Sequence, residues 1–168
     1  MTASADRIEI GRAIEADMDG IMALQAADEV GNGGTLSASL PRTRIDAMRQ
    51  AMPLMVARDE GRVVGFLMTT PKAMNADIEI VRATFDAFSG TSDAYLYGPV
   101  CVDAAYRGRG LAQAMFDALR ALLPGRQGIL FIRHDNAASL NAHARMGMSK
   151  VAGFTLNGSV FVVLAYTG

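Results

Sequence analysis

The sequence predicts a mixed α/β fold, and three features predict it. Short β-branched or aromatic runs alternate with amphipathic helical stretches along all 168 residues. Two strand-to-helix passages carry distinctive loops, one at Arg107-Gly108-Arg109-Gly110 and one beginning at Asn136. The chain closes on a hairpin signal, Asn157-Gly158 between two strand-like runs.

Residues 7–10 alternate as a half-exposed first strand does. A helix is expected from Asp17 to Ala27, with Met18, Ile21, Met22 and Leu24 inward. Residues 28–39 are glycine-rich and irregular. Pro41 is placed to open a second helix, whose Ile45, Met48 and Met52 share a face. Leu54–Ala57 and Val63–Thr69 read as strands joined through Arg58–Arg62, with Gly61 supplying positive φ. Residues 71–93 are the least legible stretch, with a helix expected over Ile78–Phe88 and a polar loop after it. A strand over Tyr95–Val102, a helix carrying Leu111, Met115, Phe116, Leu119, Leu122 and Leu123, and a buried strand over Gly128–Ile132 follow. The helix after Asn136 and strands at 150–156 and 159–165 end the chain. No repeat, low-complexity tract or linker interrupts it, so one domain over 1–168 is expected.

Composition narrows the function classes. Apolar residues make 51% and charged residues 20%, a globular profile, and the formal charge is −1. No overall positive field draws nucleic acid or an anionic membrane, so any anion site is local. The single Cys101 forms no intrachain disulfide and suits a reducing compartment. With no apolar span and no secretory pattern in residues 1–10, the expected location is the cytoplasm. No His/Cys/Asp cluster has metal-ligand spacing, so no metal is expected.

The glycine loop lies between a strand and the start of a helix. Such an end presents backbone N–H groups without helical partners and the positive pole of the helix dipole, which suits phosphate. Glycine lets the backbone approach an anion closely. A Walker loop is excluded, because no Gly-Lys-Ser or Gly-Lys-Thr occurs. A dinucleotide fingerprint fails at Gln113, where its third glycine belongs.

The segment Arg107-x-x-Gly110-x-Ala112 resembles the pyrophosphate loop [QR]-x-x-G-x-[GA] of the GCN5-related N-acetyltransferase (GNAT) superfamily. The lead-in Val102-Asp103-Ala104-Ala105-Tyr106 is similar too, with Ala104 where a proline is frequent. Asn136 to Met148 resembles the family's later signature of an Asn, a helix, then Gly and a hydrophobic residue. The order of elements agrees over nearly the whole chain. The resemblance implies the acyl-CoA N-acyltransferase fold, with about seven strands, a splayed central parallel pair and four or five helices. Gly98-Pro99 falls where the family has a strand bulge that receives the pantetheine arm; the alternative is an edge strand ending at Pro99.

The implied function is transfer of an acetyl group from acetyl-CoA to a primary amine by direct attack in a ternary complex. The alternative is a non-catalytic acyl-CoA-binding regulatory module on the same fold. Backbone groups of Gly108, Arg109, Gly110, Leu111 and Ala112 would hold the pyrophosphate, with Arg107 and Arg109 adding charge. Val100 and Val102 would offer backbone groups to pantetheine. Asn136 would meet the cofactor's arm or cap the following helix, and Ser139 would touch the cofactor or orient His143. Where the family commonly has a tyrosine as general acid, seven residues after the Asn, this chain has His143. An imidazolium can donate a proton, so His143 is the candidate acid. No base is assigned: the fourth strand has no carboxylate from Ala94 to Val102, leaving Asp93, Tyr95, Tyr97, Asp28 and Glu29 open. Cys101 reads as a buried strand residue rather than an acyl carrier. The acceptor is a small-molecule or peptide amine, with residues 25–42 and 71–93 the expected specificity segments, and the C-terminal hairpin offers a homodimer edge.

Overall fold

A computed structural model describes residues 7–28 and 39–168. The expectations for Glu29 and for residues 29–38 lie outside the described residues. The elements are β1 (Ile8–Arg12), α1 (Met18–Ala27), α2 (Arg42–Ala51), β2 (Met55–Asp59), β3 (Arg62–Pro71), α3 (Glu79–Ala87), β4 (Tyr95–Val102), α4 (Leu111–Leu122), β5 (Gln127–Arg133), α5 (Ala137–Arg145), β6 (Ser149–Leu156) and β7 (Ser159–Thr167). The strands are hydrogen-bonded in the order β1-β2-β3-β4-β5-β7-β6. The chain divides into two compact units, Met1–Thr69 with Gly98–Leu122, and Thr70–Tyr97 with Leu123–Gly168.

In the first unit β1, β2 and β3 are antiparallel neighbours. The β2–β3 connection is the two residues Glu60 and Gly61, both at positive φ (50° and 81°), which matches the twist of the strands they join. Helix α1 buries Met18, Ile21 and Leu24 as expected, but Met22 is only half-buried and Gln25 takes an inward position. Gln25 fits there because its amide is fully used: Nε2 donates to the Leu40 carbonyl at 2.9 Å and Oε1 accepts from the Leu40 N–H at 3.0 Å. Pro41 stands at the N-cap of α2 rather than in its first turn, and Ile45 and Met48 are buried below it. Helix α4 packs on β1 and β2.

An ion pair between buried Asp17, the N-cap of α1, and half-buried Arg58 ties the start of that helix to β2. Arg58 Nε donates to Asp17 Oδ1 at 2.9 Å and Nη2 to Oδ2 at 2.6 Å, while the Ile14 N–H reaches Oδ2 at 2.8 Å. Burial alone would raise the Asp17 carboxyl, but the Arg58 hydrogen bonds, the Ile14 N–H and the Arg58 charge outweigh it and hold its pKa below the ordinary range.

In the second unit β4 pairs in parallel with β5 at Tyr95–Gly128 and Leu96–Ile129. This ladder does not continue at Tyr97. β5 pairs antiparallel with β7, and β7 with β6, across a turn at Asn157 and Gly158 whose φ angles are 51° and 81°. Ala94, Ile129, Val163 and Ala165 form the core here, and Phe85, Ala87 and Phe88 at the end of α3 pack against it. The least legible stretch of sequence therefore does contain a helix, Glu79–Ala87, within the expected span. Among the described residues, no helix is long and apolar enough to cross a membrane.

Candidate functional site

The glycine loop belongs to the first unit. After β4, Asp103 turns the chain: its Oδ1 accepts from the Ala105 N–H at 2.9 Å, and a short 3-10 turn follows over Ala104–Tyr106. The Tyr106 hydroxyl donates to Asp59, and the Arg62 and Arg109 guanidinium groups lie 5.6 and 4.9 Å from the Tyr106 ring centre. The loop is thus braced on its tyrosine. Gly108 and Gly110 then take φ of 77° and 75°, with nothing within 4 Å of where a Cβ would stand. Their need for glycine comes from backbone conformation rather than crowding. Leu111 starts α4, and Leu111, Met115, Phe116 and Leu119 are buried, which fixes the helix, while Arg107–Gly110 just before it are exposed. The first amides of α4 have no partner within the helix until Ala114 reaches the Gly110 carbonyl at 3.0 Å.

Arg107 is only partly available to an anion. Its Nη2 donates to Asp28 Oδ1 at 3.2 Å and its Nε to the Val102 carbonyl at 3.1 Å. Asp28 is buried, and its Oδ2 accepts from the Cys101 thiol at 3.3 Å. Burial, then the Asp28 charge and hydrogen bond, push the Cys101 thiol up, so it stays protonated and is a poor nucleophile. Val100 and Val102 are half-buried on either side of buried Cys101.

The second unit holds Asn136, Ser139 and His143. Asn136 caps α5, its side chain accepting from the Ser139 N–H at 3.2 Å. One turn on, His143 Nδ1 lies 2.8 Å from the Ser139 carbonyl and 3.3 Å from its hydroxyl. A carbonyl only accepts, so the ring proton is assigned to Nδ1 and Nε2 is left as an acceptor. Nε2 faces the Tyr97 hydroxyl at 3.1 Å, and the two rings meet edge to face at 5.5 Å. Tyr97 therefore donates to His143.

The tyrosine cluster continues behind this pair. Tyr166 packs edge-on to Tyr97 at 5.8 Å, and its hydroxyl hydrogen-bonds that of Tyr95. Gly128 makes room for it, since a Cβ there would stand 2.4 Å from the Tyr166 ring. Burial pushes the His143 imidazole below its ordinary range, partly opposed by the Ser139 carbonyl. Burial, then Tyr95, push the Tyr97 phenol up. The resting pair is neutral histidine and neutral tyrosine.

The sequence singles out Asn136, Ser139 and His143, and the structure brings these three together. It does not single out Tyr97 as their partner, although alternation along β4 puts Tyr95 and Tyr97 on one face. His134, at the end of β5, is exposed and makes no part of this cluster. Among the described residues, the Thr70 hydroxyl in the second unit is the buried side-chain polar atom without a hydrogen-bond partner, and nothing in the sequence marks it. No group of three His, Cys, Asp or Glu among the described residues is placed to hold a metal ion.

Comparison with known proteins gives the class. The Acetyltransferase (GNAT) family profile matches residues 21–148. The chain belongs to the GNAT acetyltransferase family, whose members are acetyl-CoA-dependent acetyltransferases. A search of curated proteins finds no match. Among solved structures, a GNAT-family acetyltransferase from Streptococcus agalactiae is 16% identical, with 96% of this chain and 95% of that one covered and a TM-score of 0.72. Ribosomal-protein-alanine N-acetyltransferase from Brucella melitensis is 21% identical, with 95% and 99% covered and a TM-score of 0.67. The yncA protein of Salmonella typhimurium, solved with its cofactor acetyl-CoA, is 18% identical, with 96% and 94% covered and a TM-score of 0.66. At these identities the likeness is one of fold, the acyl-CoA N-acyltransferase fold the motifs imply.

Proposed function

We propose that this protein transfers an acetyl group from acetyl-CoA to a primary amine by direct attack. The observation that carries the reading is the Arg107–Ala112 loop: two glycines at positive φ, braced by Tyr106, delivering an exposed helix start after β4. Backbone amides from Gly108 to Ala112 take the pyrophosphate, and Arg109 supplies charge beside them. Arg107 chiefly holds the loop against Asp28 and β4, and its remaining donors face the phosphates. Val100 and Val102 offer backbone groups to pantetheine, and Asn136 and Ser139 contribute at the start of α5. His143 remains the candidate for handling the proton that the departing sulfur needs.

Bond by bond, the amine nitrogen attacks the thioester carbon, the carbon–sulfur bond breaks, and a proton leaves nitrogen while one reaches sulfur. The buried thiol of Cys101 speaks for direct transfer and against an acyl-enzyme. The acceptor is an amine of a small molecule or a peptide. Peptide N-termini have a precedent in the Brucella melitensis protein, named for ribosomal-protein alanine.

The test is release of CoA thiol from acetyl-CoA with a panel of primary amines, alaninamide and spermidine among them. Turnover that saturates in both substrates and forms the N-acetyl product is expected. Tight acetyl-CoA binding with no product from any amine would favour the regulatory module, to which the lack of a carboxylate over 94–102 of β4 also points.

A further inference from the structure

We propose that Asp28 and Asp59 are positioning residues for the acyl donor: their carboxylates hold Arg107 and Tyr106, just before Gly108, and so aim the loop's amides at the phosphates. This rests on the acetyl-CoA reading above and names what pre-forms its binding loop.

Each carboxylate comes from outside the loop, and each from a different element of the first unit. Asp28 directly follows α1. Its Oδ1 accepts from Arg107 Nη2 at 3.2 Å and its Oδ2 from the Cys101 thiol at 3.3 Å, so it joins β4 to the loop. Arg107 Nε meanwhile donates to the Val102 carbonyl at 3.1 Å, a bond that reaches back across the turn over Asp103–Tyr106 and straps it shut. Asp59 ends β2. It accepts from the Tyr106 hydroxyl, which itself accepts from Arg62 Nη2 at 3.2 Å. Arg62 also stands 3.8 Å from Asp103 Oδ2, and Asp103 caps the same turn. Only Gly108, Arg109 and Gly110 separate these fixed residues from Leu111, the buried start of α4.

Charge alone makes these carboxylates a cost. A negative group near a phosphate site weakens anion binding, and here two are bonded to residues of the loop itself. Folding stability does not account for the Asp28 pair either. Arg107 keeps 59% of its side chain exposed against 11% for Asp28. An ion pair so open on one side contributes little, while burying the carboxylate is unfavourable. Positioning has the opposite sign. A loop already held in its binding shape loses less freedom when the ligand arrives, and that gain offsets the repulsion. The Arg109 guanidinium lies 4.9 Å from the Tyr106 ring centre, so the tyrosine that Asp59 holds also carries a cation of the loop.

The opposite signs make the test decisive. Acetyl-CoA is titrated calorimetrically into wild type, Asp28→Ala, Asp28→Asn, Asp59→Ala and Tyr106→Phe. Lost positioning raises Kd by about tenfold in Asp28→Ala and in Asp59→Ala. Asp28→Asn loses the charge but keeps a carbonyl oxygen for Arg107, and it recovers part of that loss. Tyr106→Phe matches Asp59→Ala, and the double variant binds no worse than either, because both break the same bond. Added salt leaves the losses in place, whereas a charge effect fades. With an amine that turns over, the KM for acetyl-CoA rises while kcat holds, which a destabilised fold would not produce. Thermal melts confirm that each variant is folded; Asp28→Asn and Tyr106→Phe, the mildest changes, carry the test if an alanine variant is not. Equal or tighter binding in the folded Asp28 variants or in Tyr106→Phe would overturn the proposal while leaving the acetyl-CoA reading standing. Failure of the wild type to bind acetyl-CoA would overturn that reading and the positioning roles with it.

Discussion

Gly110→Val lowers the affinity for acetyl-CoA by at least tenfold, or roughly 1.4 kcal/mol, with little loss of thermal stability. Gly110 has φ of 75°, where an L-residue with a Cβ is strained by about 1–2 kcal/mol, and a β-branched side chain fits worst. No atom lies within 4 Å of the new Cβ, so the strain is relieved by the exposed loop moving rather than by the core opening. Helix α4 stays anchored through Leu111, Met115, Phe116 and Leu119. What is lost is the alignment of the amides on the phosphates. Calorimetric titration of the variant beside wild type reads it, and equal affinities would remove the loop's backbone from the binding site. Gly108, at φ 77°, is expected to behave alike.

Asp17→Ala costs about 1.5–3 kcal/mol of folding stability, the range for losing hydrogen bonds to a charged group in a pair that is only partly buried. Arg58 keeps 12% of its side chain exposed and Asp17 keeps 5%; in the variant the guanidinium loses its two bonds to Asp17 but keeps Glu9 Oε1 at 3.2 Å and the Arg12 carbonyl at 3.0 Å. Against a total stability of roughly 5–15 kcal/mol this is a large fraction. Urea unfolding measures it, and a change under 1 kcal/mol would contradict the account. The same pair sets an acid dependence. Because the folded Asp17 pKa lies below its ordinary 3.8, the unfolded chain binds more protons between the two values. The pair's contribution is complete above 3.8 and is lost as pH falls through the folded value. Asp17→Ala lacks that part of the acid limb.

Local rules made most of the fold legible. Alternation and turn chemistry located β2, β3, β6 and β7 and the turns at Glu60-Gly61 and Asn157-Gly158, since two-residue hairpins depend on their own residues. Helical periodicity located α4 and α1. It erred within α1 at Gln25, whose inward place depends on the Leu40 backbone 15 residues away and on no pattern inside the helix. The Asp17–Arg58 pair was hidden for the same reason: its partners are 41 residues apart and each reads as an ordinary surface charge.

The candidate site divides along the same line. The glycine loop is a contiguous motif, so backbone chemistry alone points to it, and Gly108 and Gly110 do take positive φ. Asn136, Ser139 and His143 are linked by helical spacing and were legible as a group. Tyr97 was not, because its bond to His143 joins a strand to a helix 46 residues later. The hold of Asp28 on Arg107 spans 79 residues and could be read only from the structure.

Calorimetric titration of the wild-type protein with acetyl-CoA, with ATP as the control, tests the central claim most directly. One-to-one binding of acetyl-CoA at micromolar affinity is expected, with no measurable binding of ATP. Absence of acetyl-CoA binding would mean that Arg107–Ala112 is only the start of a helix, and would contradict the acyl-donor reading on which the proposed chemistry rests.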